Sequence, residues 1–209
     1  MRSFFIFVVL FFSLNLNASE KAITEDGDIV ILHPNGTWWY EDNNDTNSDI
    51  PYNRQTFNKA KKASFIVKST KNKSAYAIDP KVWLFTRNES GSVGDNEYLF
   101  QAKGIDLYGM AITEAVEIGL EYLGDIALQN AREAAPDARI VDREYRTVNG
   151  EKVLYMEMRG TLSGIDFTYL GYYHSNEAGS TQLVAYTGTK LVPKFKSKIT
   201  QFLNGLIIQ

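Results

Sequence analysis

Few residues in this chain could carry catalytic or metal chemistry. The 209 residues include two histidines, His33 and His174, and no cysteine. A zinc site usually needs three or four nitrogen, sulfur or oxygen ligands at close spacing, and no HxH, HxxxH or HExxH motif occurs. His174 is the plausible base for serine-type hydrolysis, but the adjacent Ser175 would face the opposite way in a strand. The sequence predicts no metal, no cofactor and no catalytic residues, with a hydrolase that uses His174 as an alternative.

Carboxylates offer a second route to chemistry, because a positioned pair can serve as acid and base. Glu114, Glu117 and Glu121 share one face of a predicted helix, and Asp106 precedes a predicted strand. Acidic residues are also common in the first turn of a helix, where they interact favourably with its dipole. Residues 91–94 contain two glycines but match no phosphate-binding pattern, which indicates a loop. We therefore predict that the protein is not an enzyme.

A group of lysines is the sharpest charge feature, since no acidic residue occurs from Pro51 to Ile78. A dense cationic segment can contact an anionic surface, such as lipid headgroups or an acidic protein partner. It can also protect an edge strand from aggregation, or be neutralised by acidic residues of the same chain. The candidate partner-contact lysines are Lys59, Lys61, Lys62, Lys68, Lys71 and Lys73.

Trp38, Trp39 and Tyr40 are three consecutive aromatic residues. In a strand they cannot all face the same side. Aromatic side chains often anchor protein interfaces, so Trp38 and Trp39 are further candidates for partner contact. The alternative is that they pack onto the rest of the protein.

The first residues are typical of a secretory signal peptide. Arg2 precedes an apolar run from Phe4 to Phe12, and the small residue Ala18 follows at a suitable cleavage position. The run is too short to span a hydrocarbon core of ~30 Å, although an uncleaved anchor is the alternative. We predict a periplasmic or secreted protein, cleaved near Ala18, with no transmembrane segment afterwards. The absence of cysteine favours a bacterial periplasm, because small secreted eukaryotic domains usually rely on disulfides.

Two short segments follow the predicted signal peptide of residues 1–18. Residues 19–40 alternate β-branched runs with turn dipeptides and predict a small β-meander. Residues 41–54 are polar and acidic and predict a linker. The whole chain has a net charge of −3, which gives no support for nucleic-acid binding.

Residues 55–209 predict a single α/β domain. Helical spacing begins near Ala115 and ends before Pro136, and it recurs at the C-terminus, where Leu206 continues the apolar stripe. The dipeptide Asn149-Gly150 is the strongest hairpin signal. Strand patterns occur at Ala63–Lys68, Tyr76–Phe85, Tyr98–Ala102, Leu107–Thr113, Arg139–Val148, Lys152–Arg159, Asp166–His174 and Thr181–Tyr186.

The central strands are apolar on both faces. Leu154, Met156 and Met158 point one way, whereas Val153 and Tyr155 point the other way. An antiparallel sheet with one wet face shows a cleaner alternation. We therefore predict an antiparallel sheet sandwiched by helices on both sides.

The domain resembles the PsbP-like fold over about residues 62–207. The order of the elements carries most of the resemblance, which implies a docking or assembly protein and no catalytic residue set. The residues that carry it are Ile78-Asp79-Pro80 with Trp83, the strand Tyr108–Thr113 before a long helix, Val148-Asn149-Gly150, the strand Thr168–Tyr173 with the turn at residues 176–180, and Phe202-Leu203-Asn204-Gly205.

The sequence thus favours a non-catalytic periplasmic binding or assembly module that contacts a protein or an anionic envelope surface. The first alternative is a small-ligand carrier with a pocket between sheet and helix. An apolar cavity with a few converging polar groups favours that alternative. The hydrolase that uses His174 is the second alternative, and it requires a nucleophile within ~3 Å of the imidazole ring.

Overall fold

The computed structural model describes residues 20–23, 29–32, 38–40, 50–88 and 96–209. The chain divides into two compact units, Met1–Asp49 and Ile50–Gln209. The second unit is called the body below. The predicted signal peptide and the loop at residues 91–94 lie outside the described residues, as does most of the predicted linker.

The first unit contains the predicted meander. Its strands are β1 (Glu20–Ile23), β2 (Ile29–Leu32) and β3 (Trp38–Tyr40). They form an antiparallel sheet in the order β1-β2-β3, with Leu32 paired both to Glu20 and to Trp38.

Within its described residues, the body has six strands before its first helix and four more strands between the first helix and the second. Its elements are, in chain order, β4 (Tyr52–Phe57), β5 (Phe65–Lys68), β6 (Ser74–Ile78), β7 (Trp83–Arg87), β8 (Asn96–Ala102), β9 (Tyr108–Glu114), α1 (Leu120–Ala134), β10 (Arg139–Val148), β11 (Glu151–Leu162), β12 (Ile165–Asn176), β13 (Gly179–Gly188), a short 3-10 turn (Thr189–Leu191), α2 (Val192–Leu203) and β14 (Leu206–Ile208).

Eight strands form the large sheet, in the order β4-β10-β11-β12-β13-β9-β8-β7. Long hairpins join β10 to β13, and the turn at Asn149 and Gly150 takes positive φ angles of 50° and 96°, as the sequence predicts. All pairings are antiparallel except at one edge, where β4 runs parallel to β10. The predicted antiparallel sheet is confirmed with this one parallel strand added.

The two faces of the large sheet pack against different helices, as the alternation predicts. On one face Leu154, Met156 and Met158 pack with α1 residues such as Leu123 and Ala127. On the other face Val153, Tyr155 and Tyr172 belong to the larger core, which includes the α2 residues Phe195, Ile199, Phe202 and Leu203. The small sheet, ordered β14-β6-β5, adds Val67, Tyr76 and Leu206 to this second core.

Three element boundaries differ from the sequence predictions. The predicted strand Tyr76–Phe85 is two strands in different sheets, because the turn at Asp79 and Pro80 ends β6 before β7 begins. The helix predicted from Ala115 begins at Leu120, so Glu114 ends β9 and does not share a helix face with Glu121. The C-terminal helix ends at Leu203, and Leu206 lies in β14.

The predicted linker is also too long at its C-terminal end. Tyr52, Asn53 and Arg54 lie in β4, paired with β10. The backbone of Tyr145 donates a hydrogen bond to the carbonyl of Pro51 at 2.8 Å. Polar composition predicted a linker here, but an edge strand with one solvated side tolerates the same residues.

Candidate functional site

A groove runs between α1 and the part of the large sheet that α1 leaves uncovered. Among the described residues, the helix packs mainly on β11 and β12, whereas β9, β8 and β7 continue the same sheet face beyond it, with Met110 of β9 still packed against the α1 side. On this uncovered part Leu99 and Leu84 are 43% and 54% exposed. The groove lies where the covered and uncovered parts meet, and its volume is about 500 Å³.

The groove has an apolar floor and a polar rim. Small residues on α1, above all Ala131 and Ala134, leave space between the helix and the sheet. The described lining residues are Asn96, Met110, Ile112, Ala127, Asn130, Ala131, Glu133, Ala134, Met158, Tyr169, Tyr173, Gln182 and Val184.

A glycine brings the helix close to the sheet next to the groove. A Cβ atom on Gly124 would lie 3.0 Å from Leu154 Cδ2 and 3.1 Å from Met156 Sδ. A larger residue at this position would require Leu154 and Met156 to shift by a few tenths of an ångström. Two hydrogen bonds also fix the start of α1: the Tyr145 hydroxyl donates to Glu121 at 2.6 Å, and the Ile118 amide donates to Ser175 Oγ at 2.9 Å.

Tyr173 forms a buried part of the groove floor. Its ring lies over Gly171, where a Cβ atom would come within 2.9 Å of the Tyr173 hydroxyl. The ring is fully buried, and its hydroxyl has no hydrogen-bond partner among the described residues. Burial raises the pKa of this hydroxyl. The side-chain nitrogen of Asn96, at the other side of the groove, is likewise buried, and no residue of the described ranges bonds to it.

A ladder of tyrosines borders one end of the groove. Tyr169, Tyr186 and Tyr108 occupy paired positions on β12, β13 and β9. The ring centroids of Tyr169 and Tyr186 are 5.6 Å apart, and those of Tyr186 and Tyr108 are 5.5 Å apart. Burial raises the pKa of Tyr169 and of Tyr186. The ladder therefore extends the groove as a half-buried aromatic surface.

The rim carries little charge. Glu133, exposed near the end of α1, is the charged residue among the described groove-lining residues. Asn130 and Gln182 supply neutral amide groups on opposite sides. A carboxylate at the rim disfavours an anionic ligand, because like charges repel. The groove is therefore suited to a neutral or cationic, largely apolar molecule.

His174 lies on the opposite face of the sheet from the groove. Its Nδ1 donates a hydrogen bond to the carbonyl of Lys152 at 3.1 Å. Its Nε2 is buried, and within the described part of the chain nothing bonds to it. Ser175 accepts a hydrogen bond from the Ile118 amide near α1. The structure therefore separates His174 from Ser175, as strand alternation predicts, and pairs His174 with no nucleophile of the described chain.

The predicted partner-contact lysines have different surroundings, and their role in partner contact stays a prediction. Lys71 is half-buried and lies 3.5 Å from Glu114 in an ion pair. Lys59 Nζ donates a hydrogen bond to the carbonyl of Ala63 at 3.3 Å. Lys61, Lys62, Lys68 and Lys73 are exposed. The exposed lysines lie around β5, which is an edge strand of the small sheet.

The two candidate tryptophans belong to the first unit. Trp38 pairs with Leu32, and Trp39 pairs with Ile31, through the backbone of β3 and β2. Their role in partner contact stays a prediction. Glu117 and Asp106 are not among the described residues that line the groove, and Glu117 precedes α1.

Sequence reasoning missed the individual residues of the groove. Met110, Gln182 and Val184 looked like ordinary strand positions. The available signal was the spacing of Ala127, Ala131 and Ala134 on α1, because a stripe of small residues leaves space above a sheet. That signal became meaningful only when the structure showed which strands the helix leaves uncovered.

Two general observations apply to the described residues alone. They contain no group of three or more histidine, cysteine, aspartate or glutamate side chains placed to hold a metal ion. Among them, no helix has both the length and the apolar composition needed to cross a membrane.

Comparison with known proteins gives structural matches only. No protein-family model matches the sequence, and no curated protein does so. The structure is similar to that of the cyanobacterial PsbP (CyanoP) from Synechocystis. The similar region covers 69% of this chain and 92% of the cyanobacterial chain, with 14% identity and a TM-score of 0.55.

Two weaker structural matches cover a similar part of the chain. LpqN of Mycobacterium tuberculosis, described as involved in cell envelope biogenesis, matches with 11% identity over 69% of this chain and 90% of its own, at a TM-score of 0.42. A Pseudomonas aeruginosa protein of unknown function, described as a putative regulator, matches with 9% identity over 69% of this chain and 96% of its own, at a TM-score of 0.43. The similarity to the Synechocystis protein agrees with the resemblance seen in the sequence, and the chain therefore has a PsbP-like fold.

Proposed function

We propose that this protein is a non-catalytic, exported binding module whose ligand is a small, largely apolar molecule held in the groove beside α1. The single observation that carries the proposal is the open groove of about 500 Å³ between α1 and the sheet. Ligand pockets of proteins typically have volumes of ~300–1,000 Å³, with an apolar lining and a few polar groups. The groove has that size and that composition.

The polar groups define the ligand class further. Asn130 and Gln182 offer amide donors and acceptors at the rim, and Glu133 adds a negative charge. The proposed ligand is therefore neutral or cationic, with an apolar body that packs against Met110, Ile112 and the alanines of α1. Export to the periplasm or beyond, after cleavage near Ala18, is part of the proposal and rests on the N-terminal sequence.

The other functions considered from the sequence have weaker support. A hydrolase that uses His174 needs a nucleophile against the imidazole ring, whereas the observed partner of Nδ1 is a backbone carbonyl. Partner contact through the candidate lysines stays a prediction, and one of them, Lys71, is paired with Glu114. The groove unites its residues in one place, which is why the ligand-binding function ranks above both.

A pair of fluorescent dyes tests the proposal. N-phenyl-1-naphthylamine and 1-anilinonaphthalene-8-sulfonate share an aromatic body, but only the second carries a negative charge. The neutral dye should bind with saturable fluorescence enhancement, and Ala134→Trp should weaken that binding by about tenfold, because the indole fills the groove. The matched control is Gln129→Trp, which places the same side chain on the exposed surface of α1 outside the groove and should leave dye binding unchanged.

A second variant addresses the charge at the rim. Glu133→Gln should strengthen binding of the anionic dye and leave the neutral dye nearly unaffected. Thermal melting of each variant checks that it is folded. Equal binding of the neutral dye to Ala134→Trp and to Gln129→Trp would contradict the groove as the ligand site.

A further inference from the structure

Two edge strands of different sheets meet at an exposed apolar surface. β5 is the edge of the small sheet, and β7 is the edge of the large sheet. The rings of Phe65 on β5 and Phe85 on β7 have centroids 5.6 Å apart. This contact brings the two edges together on the side that holds Phe65 and Phe85, whereas Ile66 faces the other side of the small sheet.

Large apolar side chains on these edges are exposed. Phe65 is 45% exposed, Ile66 is 38% exposed, and Phe85 is 39% exposed. Large apolar side chains that are grouped and exposed commonly mark an interaction site. A bound partner would bury these side chains, which are exposed in the isolated chain.

Basic residues accompany these apolar side chains. Lys61 and Lys62 precede β5, Lys68 ends it, and Arg87 ends β7, and all four are exposed. Arg87 donates a hydrogen bond to Thr70 Oγ1 at 3.0 Å, which places its guanidinium on the same side of the molecule as the β5–β6 turn. No acidic residue occurs from Pro51 to Ile78. We call Phe65, Ile66, Phe85, Lys61, Lys62, Lys68 and Arg87 the basic edge.

We propose that the basic edge docks on an anionic lipid bilayer. An acidic protein segment would satisfy the cations but would leave three apolar side chains exposed. An anionic bilayer satisfies both, because headgroups attract lysine and arginine while apolar side chains enter the interface. The basic edge consists of residues other than those that line the groove, so this proposal is independent of the proposed ligand-binding function.

Co-sedimentation with lipid vesicles tests the docking surface. The purified soluble protein should bind vesicles of phosphatidylglycerol and phosphatidylethanolamine and bind phosphatidylcholine vesicles poorly, and high salt should weaken the binding. The triple variant Lys61→Glu, Lys62→Glu, Lys68→Glu should lower vesicle affinity by about tenfold or more, since each basic residue near such a surface contributes ~1 kcal/mol.

A matched triple variant separates location from net charge. Lys194, Lys196 and Lys198 are exposed on α2, and their replacement by glutamate changes the charge by the same amount. This variant should retain most of the binding. Because both triple variants have the same N-terminus, any contribution of residues 1–18 cancels between them. Equal loss of binding in both variants would show a general charge effect and overturn the proposal.

The apolar contribution distinguishes lipid from an acidic protein. Phe65→Ser with Phe85→Ser should reduce vesicle binding, whereas Ile165→Ser, at an exposed position in the β11–β12 hairpin, should not. Binding to soluble polyglutamate as tight as binding to vesicles, and unaffected by the phenylalanine substitutions, would assign the basic edge to an acidic protein and overturn the lipid proposal. Absence of binding by the unmodified protein to anionic vesicles at low salt would overturn it as well.

Discussion

Tyr173 carries an energetic cost, because no described residue pairs with its hydroxyl. The hydroxyl is buried without a hydrogen-bond partner, and an unsatisfied polar group of this kind typically costs ~1–3 kcal/mol. A rigid core with no other role would do better with phenylalanine at this position. The residue lines the floor of the groove, where its ring packs beneath the proposed ligand site.

Removal of that hydroxyl should stabilise the free protein. We expect Tyr173→Phe to raise the free energy of unfolding by about 1 kcal/mol, because it removes the unpaired polar atom and keeps the ring. Urea denaturation followed by circular dichroism measures the change. Tyr172→Phe is the control on the same strand: the Tyr172 hydroxyl donates to Asn204 Oδ1 at 2.9 Å, so its loss should destabilise the protein. Destabilisation by Tyr173→Phe as large as that by Tyr172→Phe would show that the hydroxyl has a partner.

Buried tyrosines should also set the alkaline limit of stability. Burial raises the pKa of Tyr76, Tyr155 and Tyr173 above the ordinary value. An unfolded tyrosine ionises near pH ~10, so the unfolded chain binds fewer protons than the native protein above that pH. Stability should therefore be fully present below pH ~10 and fall as the pH rises through the folded pKa values. Unfolding curves from neutral to alkaline pH measure how the free energy of unfolding changes with pH. Tyr173→Phe should make this pH dependence shallower, by the amount that corresponds to about one proton released on unfolding. A slope that is the same in both proteins would contradict the burial of the Tyr173 hydroxyl.

Local patterns predicted the elements well where one periodicity dominated. The alternation of Val153, Leu154, Tyr155 and Met156 predicted two covered sheet faces, and the structure confirms them. The pattern misled at Leu206, because its spacing from Phe202 suits a helix although Asn204 and Gly205 intervene. Whether such a residue continues a helix or enters a strand depends on β6, which lies far away in the sequence and offers a free edge.

β14 should contribute more to the stability of the protein than its length of three residues suggests. Leu206 is buried in the larger core and pairs with Tyr76, and the side-chain amide of Asn149 donates to its carbonyl at 2.6 Å. We expect Leu206→Ala to lower the free energy of unfolding by ~2–5 kcal/mol. Ile208→Ala, on the same strand but half-buried, should cost clearly less. Chemical denaturation of the two variants provides the comparison, and similar small losses in both would show that β14 is not part of the core.

The arrangement of the whole molecule could be predicted only in outline. The PsbP-like order of elements was visible in the sequence, whereas the groove was not. The groove arises because α1 covers β11 and β12 but leaves β9, β8 and β7 uncovered, which is a property of the sheet order. The local sequence around Met110 or Gln182 does not indicate whether a helix packs above these residues.

The body should fold without the first unit. Residues 50–209 contain both cores and all three of their supporting components, namely the large sheet, the small sheet and the two helices. We expect a fragment of residues 50–209 to melt in one cooperative transition, as measured by calorimetry or circular dichroism. A fragment that retains helical signal but lacks a sharp transition would mean that the segment containing Trp38 and Trp39 completes the core.

The most direct measurement of the central claim is the location of a bound apolar molecule by nuclear magnetic resonance. Titration of the isotope-labelled protein with N-phenyl-1-naphthylamine should shift the amide resonances of Met110, Ile112, Ala131, Tyr173 and Gln182, which surround the groove. The resonances around Phe65 and Phe85, on the basic edge, should change little. Shifts that cluster at the basic edge, or that spread evenly over the surface, would contradict the assignment of the groove beside α1 as the ligand-binding site.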